Sequence, residues 1–302
     1  MMTISVTWLL LFIVSCVSSD SHDENTRIQV ATPSGTFRGI IQQSLQSHSY
    51  AAFLGIPYAL PPVGNLRFAK PEPYPHIDTV FDASTAAPSC VQSSRLNVSS
   101  YGQEDCLYLN VYVPLEENES IGNGDTFKKV FVFIHGGDWL TGSANQYVPG
   151  DMVALGDIIV VTFNYRLSWL GFLKGPTPEL SGNQGIWDQL LALNWVRNNI
   201  RSFGGDPYDV TAGGHAMGAK SVSLLSIVPQ AKTLFTKGII SSSSMFKDAS
   251  TVGSSDDLLE ILAKKVGCKE SDHTKTIECL RNLPVESFLT PPDLSVAQIH
   301  HN

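Results

Sequence analysis

The chain has 302 residues, of which 43% are hydrophobic and 16% charged, so it is long enough for one large core and too apolar for a disordered segment. Its formal net charge of −8 argues against nucleic acid as a partner, since phosphate backbones are bound by clustered lysine and arginine.

Residues 1–19 contain the apolar run from Trp8 to Val14, followed by small and polar residues. That run is too short to span a bilayer comfortably and reads as a secretory signal peptide, which leaves residues 20–302 as a single extracellular domain. No later stretch approaches the length of a membrane span. Cys16 falls in the signal segment, and Cys90, Cys106, Cys268 and Cys279 remain. An even count in a secreted chain suggests two disulfides, with three pairings open. Asn97-Val98-Ser99 and Asn118-Glu119-Ser120 are glycosylation sequons in polar, loop-like segments.

In chain order, Arg27 to Gly39 alternates in the manner of a small antiparallel hairpin turned at Pro33-Ser34-Gly35. Tyr50 to Ile56 is a second apolar run, and Leu107 to Val113 is a strand stopped by Pro114. Val130 to Ile134 and Ile158 to Phe163 are continuous apolar runs of strand length. Runs without polar alternation fit interior strands of an α/β sheet covered on both faces. Ile186, Leu190, Leu193, Val196 and Ile200 recur at helical spacing. Val210 to Ala212 is a short strand, and the helix after it ends near Pro229. Gly238 to Ser241 reads as another buried strand, and Asp256 to Val266 as a helix stopped by Gly267.

Between the strand at Val210 and its helix lies Gly213-Gly214-His215-Ala216-Met217-Gly218. Strand, glycines and short helix are the layout of a nucleophile elbow, a sharp turn that pushes one side chain out at the top of a sheet. The glycines either side of the exposed residue are needed because a Cβ there would strike neighbouring backbone. The exposed position is Ala216, whose methyl group has no lone pair with which to attack a carbonyl. His215 is expected to satisfy the turn's hydrogen bonds. The scattered histidines show no ligand spacing, Cys-x-x-Cys is absent, and no G-x-G-x-x-G follows a strand. No metal or cofactor is therefore expected.

The surrounding sequence resembles the type-B carboxylesterase and cholinesterase family of α/β-hydrolases. The resemblance rests on Phe53-Leu54-Gly55-Ile56-Pro57-Tyr58-Ala59, Pro61 to Phe68, Glu104 to Asn110, His135-Gly136-Gly137, Asn164-Tyr165-Arg166, Gly182-Asn183-Gln184-Gly185, Asp188-Gln189 and Phe203 to Pro207. It implies a mostly parallel twisted sheet flanked by helices, and ester hydrolysis by a Ser-Glu-His triad. It also implies disulfides Cys90–Cys106 and Cys268–Cys279 and structural ion pairs Arg67–Glu104 and Arg166–Asp188. The departures point away from hydrolysis. The family elbow reads Gly-Glu-Ser-Ala-Gly, and here all three inner residues differ. The oxyanion positions implied by the resemblance are Gly137, Asp138 and Met217. A carboxylate at 138 would repel a developing oxyanion, and the long Met217 side chain would crowd the acyl space.

Only 86 residues follow Ala216 (302 minus 216), and the resemblance places the triad's acid and base farther along than that. The expectation is a secreted, carboxylesterase-like protein without ester hydrolase activity. Its partner would be an extracellular protein or a small apolar or ester ligand, as in noncatalytic members of the family. The alternative is a hydrolase lineage member represented by a truncated or misassembled chain. With the later part of the fold missing, the strand at Ile239-Ile240 would lie near an open edge prone to self-association. The segment from Leu259 to Leu289 either caps that edge or leaves it uncovered.

Overall fold

The computed structural model describes residues 26–93, 100–115, 121–122, 126–245, 258–268, 270 and 272–289. The strands are β1 (Arg27–Thr32), β2 (Gly35–Gln43), β3 (Ser49–Pro57), β4 (Ile77–Asp82), β5 (Gln92–Ser93), β6 (Ser100–Tyr101), β7 (Tyr108–Pro114), β8 (Lys128–Ile134), β9 (Ile159–Phe163), β10 (Gly205–His215) and β11 (Lys237–Ser241). The helices are α1 (Gly150–Gly156), α2 (Ser168–Phe172), α3 (Gln184–Asn199), α4 (Met217–Leu225), α5 (Leu258–Val266) and α6 (His273–Asn282). The signal segment and both sequon asparagines, Asn97 and Asn118, lie outside the described residues.

Nine strands share one sheet in the order β1-β2-β3-β7-β9-β8-β10-β11, with β4 alongside β2, while β5 and β6 pair separately. The N-terminal β1–β2 hairpin and the steps on to β3, β7 and β9 are antiparallel. From β9 through β8 and β10 to β11 every pairing is parallel. Tight turns join the antiparallel neighbours β1, β2 and β3, whereas the parallel strands need crossovers, here α1 between β8 and β9, α2 with α3 between β9 and β10, and α4 between β10 and β11. From β8 the chain steps to β9 on one side and then returns to β10 on the other. The order reverses at β8, so the loops leaving the carboxyl ends of β8 and β10 open beside each other. Open α/β sheets place their ligand sites at such a reversal.

The main core lies between the sheet and α3 and α4, and includes Val132, Ile134, Val161, Leu193, Val196 and Val222. All five residues of β9 are buried, as its unbroken apolar sequence requires. A smaller cluster, with Tyr50, Tyr112 and Val160 around Val153 of α1, covers part of the opposite face.

Two expectations need correction on that face. Phe131 and Phe133 of β8 are only half-buried. β11 is not a buried strand, for every one of its residues is exposed, with Ile239 at 54% and Ile240 at 45%. Apolar composition makes a strand fit for burial, but neighbours perform the burying. β11 has β10 on one side, and among the described residues no strand pairs with its other side.

The C-terminal helices do not cap that edge. Leu258, Leu259 and Leu262 of α5 and Ile277 and Leu280 of α6 build a second core with Phe68, Trp169, Leu170 and Leu173. Cys268–Cys279 ties α5 to α6, and Cys90–Cys106 forms the other bridge, so the disulfides are sequential. Arg67 fastens this unit to the rest. Its Nε and Nη2 donate to the two Glu104 carboxylate oxygens at 2.7 and 2.6 Å. Its Nη1 donates to the carbonyls of Leu280, Arg281 and Leu283, which satisfies the acceptors left at the end of α6.

Candidate functional site

The site forms where β8 and β10 end. β10 runs to His215, and α4 begins two residues later at Met217. Ala216 makes the whole turn at φ 52° and ψ −118°, a backbone region sparsely populated by residues with a side chain. Its N–H donates to Ser241 O at 3.0 Å and its carbonyl accepts from Lys220 N at 3.1 Å. One residue thereby joins the end of β11 to the first turn of α4.

Glycines hold the turn by their lack of a side chain. A Cβ on Gly214 would overlap the backbone of Gly218, and one on Gly218 would overlap Ile134 O at the end of β8. The following loop is pressed against the same turn: a Cβ on Gly136 would lie 2.6 Å from His215 O and 3.5 Å from the Ala216 methyl. The structure therefore brings the Gly136–Asp138 loop and the Ala216–Gly218 turn together. Gly214 packs toward α4, so strand alternation sends the exposed His215 side chain to the other face.

The loop after β8 has an unusual course. Gly137 (φ 109°), Asp138 (φ 60°) and Trp139 (φ 56°) are successive positive-φ residues. Trp139 anchors them, fully buried and stacked on Phe172 with ring centroids 5.2 Å apart. Its Nε1 donates to Ser221 Oγ at 3.1 Å, which pins the loop to α4. Sequence reasoning missed this bond. The available signal was the four-residue spacing of Met217 and Ser221, which puts both on one side of the helix. Asp138 and Met217 are each half-buried, and Met217 packs against the main core.

His135 opens the loop and is held away from proton transfer. Its ring stacks on Tyr165 at 4.3 Å, and Nδ1 lies 2.9 Å from Gly136 O. Nε2 is buried with no hydrogen-bond partner. Burial disfavours the imidazolium and pushes its pKa down to about 4, partly opposed by the Gly136 carbonyl. The residue is a neutral spacer between the loop and Tyr165, whose O–H donates to His135 O at 2.7 Å.

Below the site lies the buried pair of Arg166 and Asp188. Arg166 Nε and Nη2 donate to Asp188 Oδ2 and Oδ1 at 2.8 and 2.6 Å, and the Arg166 backbone N–H adds a third bond at 3.0 Å. Nη1 donates to Ala69 O at 2.7 Å. Such a network fixes the start of α3 against the loop after β9.

The protein-family model described as "Carboxylesterase family" matches residues 26–296. The chain belongs to the carboxylesterase family. Among similar proteins are Acetylcholinesterase-1 of Trittame loki, 38% identical over 94% of this chain and 53% of that protein, and Esterase E4 of Myzus persicae, 36% identical over 92% and 50%. Neuroligin-3 of Mus musculus is 35% identical over 82% of this chain and 34% of that protein. The chain thus spans about half, or less, of the length of these relatives. No helix among the described residues of this carboxylesterase-family chain is long and apolar enough to cross a membrane.

Proposed function

We propose that this chain is a secreted, non-hydrolytic member of the carboxylesterase family that binds an extracellular partner or a small apolar ester without cleaving it. The observation that carries the reading is Ala216 at the apex of the turn, with φ 52° and ψ −118°. The turn presents a side chain at the head of the sheet, and that side chain is a methyl group. Asp138 and Met217 at the oxyanion positions support the same reading, because a carboxylate opposes the negative charge an ester would develop. The apolar N-terminal run and two disulfides support secretion, and the sequons at Asn97 and Asn118 support glycosylation. Among the described residues no strand pairs with the outer side of β11, and this supports contact with a second chain, because unpaired strand edges recruit partners. Light scattering that returned only monomer at high concentration would remove that last part.

Purified protein is expected to hydrolyse aryl and choline esters no faster than a heat-denatured control. Loss of a triad nucleophile costs on the order of 10⁶ in turnover. Ala216→Ser is expected to recover little, because a serine hydroxyl without a base is a weak nucleophile. The described histidines are poorly placed as that base: His135 is buried against Tyr165 with a pKa near 4, which makes it a weak base, and His215 is exposed at the end of β10, on the face away from α4. His48 and His76 lie in the loops that lead into β3 and β4, and His273 opens α6. Saturable turnover by the unmodified chain, surviving repurification, would defeat the proposal.

A further inference from the structure

A cavity of about 450 Å³ opens between α3, the end of α4 and Met245. Pockets that take drug-sized ligands span about 300–1,000 Å³. Buried Ile186 and Leu190 and half-buried Trp187, Leu224 and Val228 give it an apolar lining. It is separate from the turn at Ala216, since the nine residues of α4 carry the chain about 12 Å from Met217 to Leu225.

Its charge sets it apart from the rest of the molecule. The protein carries a formal −8, yet among the described residues no acidic side chain lines this cavity, and the one charged lining residue among them is Lys70. The ammonium lies over the face of Trp187, 3.8 Å from the ring centroid. Among the described residues no carboxylate pairs with it. An apolar slot with a cation over an aromatic wall complements a molecule having an apolar body and an anionic end.

We propose that this cavity binds a small amphipathic carboxylate, with its apolar chain against Trp187, Leu190 and Leu224 and its carboxylate paired with Lys70. This site does not depend on the chemistry at Ala216. The test uses the full chain with decanoate and decanol, each below its aggregation threshold, followed by calorimetry and tryptophan fluorescence. Decanoate is expected to bind saturably and more tightly than decanol. Lys70→Gln should weaken decanoate about two- to fivefold, the size of an exposed ion pair, and leave decanol unchanged. Trp187→Phe should abolish the fluorescence change while calorimetric binding persists. Lys70 is exposed, so its replacement leaves the core intact. Absence of saturable decanoate binding would overturn the proposal. So would equal affinity for acid and alcohol that ignores Lys70→Gln, or a fluorescence change that survives Trp187→Phe.

Discussion

The turn at Ala216 and the ion pair of Arg166 with Asp188 are both costly local arrangements close to the same end of the sheet, and they are offset in different ways. At the pair, two charges are removed from water, and three bonds between the partners together with the Ala69 carbonyl compensate. At the turn, a residue with a Cβ sits at φ 52° and ψ −118°, and what keeps it there is steric. Gly214, Gly218 and Gly136 allow three backbone segments to approach closely around residue 216. The comparison separates scaffold from chemistry. Backbone contacts hold the shape of the turn, and what the turn presents at its apex here is the Ala216 methyl group.

The sharpest way to break this comparison is at the pair. Asp188→Ala strands the buried Arg166 guanidinium and should cost about 3–5 kcal/mol, read as a lower urea midpoint. A loss near zero would show that the pair is solvated and that the two arrangements are not comparable.

A medium effect is expected with pH. His135 is neutral in the fold with a pKa near 4, against about 6.5 when unfolded. The folded value is depressed, so above pH 6.5 the residue costs nothing. As pH falls from 6.5 towards 4, the unfolded chain takes up a proton that the fold refuses. Stability should therefore drop by at most about 1.4 kcal/mol per pH unit across that window and level off for this group below it. Urea midpoints at pH 7.5, 5.5 and 4.5 should fall more steeply for the unmodified chain than for His135→Gln, and parallel curves would contradict the buried neutral ring.

The smallest effect sharpens the steric half of the comparison. Ala216→Gly removes the Cβ from a strained conformation, and should be neutral or stabilising by up to about 1 kcal/mol. Glycine normally destabilises ordered positions. A clear loss of thermal stability in this variant would mean that the methyl contributes packing which outweighs the backbone strain.

Much of this was legible in the sequence where the signal is local. The glycines around Ala216 announce a tight turn because only a missing Cβ permits such contacts. The unbroken apolar run of β9 announces burial on both faces. β11 shows where local reading stops, since Gly238 to Ser241 are as apolar as a buried strand and yet lie exposed at the edge. Burial depends on which elements arrive beside a strand, and composition does not carry that. The Arg67–Glu104 pair was readable through family resemblance, but the same guanidinium's bonds to the end of α6 join residues 213–216 positions apart. The Met217–Ser221 spacing puts Ser221 on the site's side of α4, but its Trp139 partner was not legible, because the bond needs the positive-φ course of Asp138 and Trp139 to swing the indole over α4.

The central claim is that the residue at the apex of the turn cannot act as a nucleophile, and covalent labelling tests it most directly. The purified chain is incubated with an excess of a reactive organophosphate, and its intact mass is measured. The peptide containing Gly214 to Gly218 is then mapped. The account predicts an unshifted mass and an unmodified peptide, because Ala216 offers no oxygen to phosphorus. A stoichiometric phosphyl adduct, on any residue of that turn or on a hydroxyl packed against it, would contradict the account and show that the site retains an activated nucleophile.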